Sequence, residues 1–158
     1  MAAMSYVNRV LQPGETLIYQ TRLHWLVYLR AMLLAVAALA IAAAGFAYAP
    51  DAMWLKAAYA AAGFFAFLAL VSAVHAAIRR VTTELAVTDH RVIYKRGVIG
   101  RYTIEMARSK VESVDVLQSF VGRIFNYGTI LVRGTGGSLE PFPQIEDPLR
   151  LRSAITAQ

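Results

Sequence analysis

AMLLAVAALAIAAAGFAYA (residues 31–49) and AAYAAAGFFAFLALVSAVHAAI (residues 57–78) decide the fold of this chain. The first stretch has no Asp, Glu, Lys, Arg or His, and the second has only His75. At about 1.5 Å per residue, each as a helix is long enough to cross a hydrocarbon core of about 30 Å. The connector PDAMWLK (residues 50–56) is too short to be a domain. The expected arrangement is a transmembrane helical hairpin with both chain ends on one side.

Basic residues orient such a hairpin, because Lys and Arg are retained on the cytoplasmic side. Arg9, Arg22 and Arg30 precede the first span, and Arg79 and Arg80 close the second. The connector holds Lys56 alone, beside Asp51. Both termini are therefore expected on the cytoplasmic side of the membrane. Trp25 and Tyr28 fall at the inner interface and Tyr48 and Trp54 at the outer one, where amphipathic rings prefer to lie. Ala47-Tyr48-Ala49 resembles a signal-peptide cleavage site, but the apolar run is too long and begins too far into the chain for that reading. Ala38/Ala42 and Ala62/Ala66 have the spacing that lets helix backbones approach closely, and packing within the hairpin is preferred over an intermolecular contact.

Composition narrows the rest. Of 158 residues, 58% are hydrophobic and none is Cys, which excludes disulfides, thiolate nucleophiles and cysteine metal sites. The net charge of +6 is what an anionic leaflet attracts, so membrane proximity accounts for it without nucleic acid. Three regions follow: a cytoplasmic segment over residues 1–30, the hairpin over 31–78, and one small cytoplasmic domain over 79–158.

After Arg80 the hydropathy period changes from helical to alternating. Thr83, Leu85 and Val87 share one face of a half-buried strand, with Thr82, Glu84 and Thr88 on the other. Thr88-Asp89-His90-Arg91 offers a turn, and further strands are expected over 92–96, 101–106, 111–118, 128–133 and 138–142. Asp147-Pro148 is a cap and first-turn pair for a closing helix whose inner face carries Leu151 and Ile155. Six short strands and one terminal helix imply a small curled sheet or barrel plugged by that helix.

Leu11-Gln12-Pro13-Gly14-Glu15, then His24-Trp25, two adjacent spans, Thr88 to Gly97 (TDHRVIYKRG) and Gly122 to Ile130 (GRIFNYGTI) stand in an order that resembles the YdbS-like bacterial pleckstrin-homology (PH) family. The resemblance covers almost the whole chain. It implies a PH-like β-sandwich or barrel closed by a carboxy-terminal helix and held beneath the membrane. A full PH fold has seven strands, so the resemblance asks for one more than the domain offers, and the alternating segment 16–23 is the candidate.

Candidate chemistry is sparse. The three histidines are scattered, so no triad and no metal-ligand spacing is visible, and no catalytic residue, metal or cofactor is expected. Asp89-His90 reads as a turn, since neighbours there point in different directions. Gly134-Thr135-Gly136-Gly137 lacks the following Lys and helix of a phosphate loop and reads as a hairpin turn. His75, one turn from Arg79 and without an acidic partner, reads as a neutral, hydrogen-bonded residue.

Two clusters remain. Arg79, Arg80, Arg91, Lys95, Arg96 and Arg101 gather at the start of the domain, where guanidinium forks suit phosphate or acidic peptides, although topology signal and solvated strand faces explain them as well. Phe120, Val121, Ile124 and Phe125 flank Gly122-Arg123 in a turn of helix, as core or as an exposed interaction patch. The expected function is a non-enzymatic, membrane-anchored adaptor or scaffold whose partners are membrane lipids, another protein or further copies of itself. The alternative is an accessory subunit of a larger membrane enzyme or transporter, held through its spans.

Overall fold

The computed structural model describes residues 10–97, 102–135 and 139–157. They divide into two units: Trp25–Ile78, and a second unit that joins the segment ending at His24 to the chain from Arg79 onward.

The first unit is a helical hairpin. A 3₁₀ turn over Trp25–Tyr28 leads into α1 (Leu29–Tyr48), and α2 (Ala52–Thr82) follows. Both helices are long and apolar enough to cross a membrane. The turn between them is shorter than the expected connector. Asp51 Oδ1 accepts from the amides of Met53 and Trp54 at 2.8 and 3.0 Å, so it starts α2 five residues earlier than hydropathy suggests. Hydropathy reads where a span is apolar, whereas capping reads where a helix begins. The buried residues of α1 and α2 are small: Ala31 and Ala38 on one helix, Ala62, Ala69 and Ala76 on the other. Their spacing is seven, not the four suggested by Ala38/Ala42 and Ala62/Ala66, and Ala66 is exposed. Near the turn a Cβ on Gly45 would stand 2.4 Å from the Ala58 Cβ, so only glycine fits there.

The second unit contains seven strands among the described residues. One sheet has the order β1 (Leu17–Arg22), β2 (Glu84–Thr88), β3 (Arg91–Arg96), β4 (Tyr102–Ala107); the other has β5 (Val111–Leu117), β6 (Tyr127–Gly134), β7 (Leu139–Glu146). All pairs are antiparallel. Between β5 and β6 lies the short helix α3 (Phe120–Ile124), and α4 (Pro148–Thr156) closes the chain.

Strand β1 comes from ahead of the hairpin and pairs with β2 from behind it, Arg22 opposite Glu84. The whole hairpin is thus the connection between two neighbouring strands. β2 is buried along its full length, not on one face alone. Alternating polarity identifies two faces of a strand but not whether both are covered. Here Glu84 lies opposite Lys95 in the ladder, and the Thr88 hydroxyl bonds Glu15 Oε1 at 2.7 Å, so the polar side is paired.

Leu85, Ile93, Ile130, Ile145 and Leu151 are the largest fully buried apolar side chains, each contributing about 1.5–3 kcal/mol by leaving water. The Tyr94 and Phe142 rings lie 4.4 Å apart. Leu151 and Ile155 put the inner face of α4 into this core. Asp147 precedes α4 with a left-handed backbone, φ 47°, and makes no side-chain cap; Pro148 with its fixed φ begins the helix instead. β7 runs on past Phe142 to Glu146, because a register shift opposite Gly128/Ile130 and the positive φ of Gln144 absorb the irregularity around Pro143.

Candidate functional site

Register sorts the domain into two ends. At one end β1 terminates at Arg22, β2 begins at Glu84, β3 finishes at Lys95 and Arg96, and β4 begins at Tyr102. The other sheet joins it there: Leu23 bridges to Ile145, and the His24 amide donates to Gln144 O at 2.8 Å. The His24 ring is 4% exposed and stacks on Tyr127 with centroids 5.3 Å apart, and burial pushes its pKa below the ordinary imidazole value. Since the chain leaves for the hairpin after His24 and returns at Arg79, this is the hairpin-bearing end of the domain.

Four candidate cations belong to it. Arg79 closes on Gln144 Oε1 at 3.5 Å, a long contact that leaves most of its guanidinium uncommitted to that partner. Arg96 is exposed, and both Arg79 and Arg96 act on the Tyr94 phenol, opposing the burial that raises its pKa. Lys95 precedes Arg96 and projects to the other face of the sheet. Arg80 lies along a shallow groove of about 470 Å³ with Arg22, Arg150, Tyr19 and the acids Glu146 and Asp147. The Arg150 guanidinium sits 5.6 Å from the centre of the Tyr19 ring. Arg22 carried only an orientation signal in the sequence and Arg150 none; register and α4 bring them to Arg80.

Arg91 does not belong with these residues. It starts β3 at the opposite end, where its Nε and Nη2 donate to the Glu15 carboxylate at 2.9 and 2.8 Å, Nη1 to Glu105 at 2.6 Å and Nη2 also to Val10 O at 2.9 Å. The side chains of Arg91 and Glu15 are 16% and 3% exposed. The guanidinium beside Glu15 holds its carboxyl at about 2, well below the ordinary 4.5. Arg91 is a structural cation with its donors engaged. Arg101 lies outside the described residues.

At the same opposite end, Asp89 and His90 meet after all, with Nδ1 and Oδ1 2.8 Å apart. Asp89 Oδ1 also accepts from the Thr16 amide at 3.0 Å, which ties the turn to the start of β1. Its pKa is lowered, first by the hydrogen bond to His90. The imidazole is 73% exposed, so the pair lacks the enclosed geometry of a catalytic dyad. Among the described residues no three His, Asp or Glu side chains come together as metal ligands. Residues 136–138, within and after the glycine-rich turn, lie outside the described residues.

The apolar cluster is not core. Phe120 is 79%, Ile124 63%, Val121 46% and Phe125 44% exposed, while Gly122 is the buried residue of α3. Ser119 caps the helix by accepting from the Gly122 amide at 3.1 Å, and Gln118 Nε2 donates to Tyr127 O at 3.2 Å. A Cβ on Gly122 would lie 2.6 Å from Tyr127 O, so this close approach fixes which side of α3 faces inward. Burial patterns of so short a helix are invisible in sequence, because one glycine rather than an apolar stripe makes its contact.

A family model described as bacterial PH domain matches residues 23–158. No curated protein and no solved structure matches the chain.

Proposed function

The chain belongs to the bacterial PH domain family, and from that membership we propose that it is a non-enzymatic, membrane-anchored adaptor of the inner membrane. Within the family we place it with the YdbS-like proteins, on the order of its motifs. The hairpin spans the bilayer with both termini cytoplasmic. The β domain engages acidic headgroups through Arg22, Arg79, Arg80, Lys95 and Arg96 and offers its remaining surface to a protein partner or a second copy.

One observation carries this reading: the apolar hairpin is inserted between two paired strands, and Arg22, Arg79, Arg80, Lys95 and Arg96 collect at the end from which it departs. A cation near an anionic leaflet contributes about 1 kcal/mol, and the effect fades beyond a Debye length of about 8 Å, so only that end can profit. The outward residues of the hairpin support the anchor. Leu39, Phe46, Phe64, Phe67 and Leu70 are all at least 60% exposed, whereas the residues it buries are alanines. Such a helix pair lacks the covered face of a soluble protein's core helices.

The test uses the purified full chain in mixed phosphatidylglycerol and phosphatidylcholine micelles, with bound lipid read by native mass spectrometry. The expected result is retention of the anionic lipid, lost in Lys95→Gln/Arg96→Gln. Equal retention of both lipids, or no change in the variant, contradicts headgroup recognition.

A second reading, an accessory subunit held through its spans, is favoured by an apolar groove of about 530 Å³ lined by Tyr28, Ala31, Met32, Ala35, Ala69, Leu70 and Ala73. A detergent-stable complex with an unrelated membrane protein cross-linked at Ala35 or Ala73 would establish it.

A further inference from the structure

We infer that α3 is an interfacial foot, whose Phe120 and Ile124, with Val121 and Phe125, enter the headgroup and acyl boundary of the bilayer that holds the hairpin. The inference rests on the anchored reading above and adds a lipid contact that the basic residues do not require.

Three observations carry it. The first is that the exposure of α3 is built. Ser119, Gln118 and the close approach of Gly122 to Tyr127 clamp its glycine side against β6, so the two largest apolar side chains are held outward. Leu117, at the end of β5, is 58% exposed and extends the same surface. The second is place. Tyr127 is the third residue after α3 and stacks on His24, the last residue before the chain enters the hairpin. The apolar side chains therefore lie at the end of the domain where the chain goes into lipid. The third is charge. Arg123 is exposed within the same turn, and Arg22, Arg79, Arg80 and Arg96 share that end. Aromatic and aliphatic groups beside basic ones match an anionic interface, where an amphipathic helix buries its apolar face about 5–10 Å deep and arginines reach back to phosphate. A soluble protein partner gives no reason for the patch to lie at this end.

The absence of Cys makes single-cysteine reporters clean. Phe120→Cys, Leu39→Cys and Lys110→Cys are each made in the full chain, labelled with an environment-sensitive nitrobenzoxadiazole dye and reconstituted in phosphatidylglycerol/phosphatidylcholine vesicles. Quenching by lipids carrying a nitroxide high or low on the acyl chain is then measured. Leu39 is on the hairpin, and Lys110 is exposed at the far end of the domain. The expected result at Phe120 is a blue-shifted emission quenched more by the shallow nitroxide than by the deep one. Leu39 is quenched from within the core, and Lys110 stays unshifted and unquenched. A Phe120 signal like that of Lys110 overturns the inference while a quenched Leu39 leaves the anchor standing. A blue shift at Phe120 without lipid quenching means a protein covers the patch, and also overturns it. An unquenched Leu39 overturns the anchored reading itself.

Discussion

Replacing Arg91 with Gln separates the cation that holds the fold from those proposed to meet lipid. The Glu15 carboxylate accepts two bonds from Arg91, one from the Thr88 hydroxyl and one from the Gln12 amide, and its pKa falls from 4.5 to about 2. At about 1.36 kcal/mol per pKa unit that gap corresponds to about 3 kcal/mol. Solvent at the rim of the site screens part of it, so the expected loss in Arg91→Gln is about 1–2 kcal/mol. Folding lowers this pKa, so the native state binds fewer protons than the unfolded chain between pH 4.5 and 2. The contribution is complete above pH 4.5 and disappears as pH falls towards 2. Hydrogen exchange of the β2 and β3 amides reads the opening directly, and it should quicken by a factor of about 5–30 at neutral pH. The difference from the wild type should shrink as pH falls through that window, and retention of anionic lipid should stay unchanged. Exchange within about twofold of the wild type, a shift too small for a buried carboxylate to have lost its partner, would refute the reasoning. So would a fall in lipid retention equal to that of Lys95→Gln/Arg96→Gln.

Other consequences follow from close packing. Gly45→Val puts a branched side chain where a Cβ already meets Ala58, so the hairpin should lose about 1–3 kcal/mol in steric-trap unfolding, whereas Gly63→Ala, with open space around it, should be neutral or stabilising. Gly122→Ala should push α3 off Tyr127 O, seen as faster exchange of the α3 amides with little change in β2 and β3. Phe142→Ala removes the ring packed on Tyr94 and should destabilise the β domain by about 3–5 kcal/mol in the same exchange assay.

The hairpin and the strand sequence were legible because they rest on periodicity and run length, which are local. The residues after Arg80 change period, and Pro148 announces α4, so the order of elements could be written down from the chain alone. Tertiary contacts could not. Arg91 and Arg96 stand in one strand and look equivalent in sequence, yet Glu15, 76 residues away, engages one, while the other lies at the opposite end of the strand. The exposure of Phe120 depends on a glycine fitting under a carbonyl, and Arg150 joins Arg80 only because α4 folds back over β1. The seventh strand was legible through the strand count that the resemblance implied and the alternation of residues 16–23, and β1 pairs with β2 there.

The most direct test of the account is sidedness. Met53→Cys, beside the tip of the hairpin, and Lys110→Cys, in the β domain, are treated in intact cells with a membrane-impermeant maleimide. The account predicts that Met53→Cys reacts at once and Lys110→Cys only after the membrane is opened. Labelling of Lys110→Cys in sealed cells, or recovery of the chain in the soluble fraction, would contradict it.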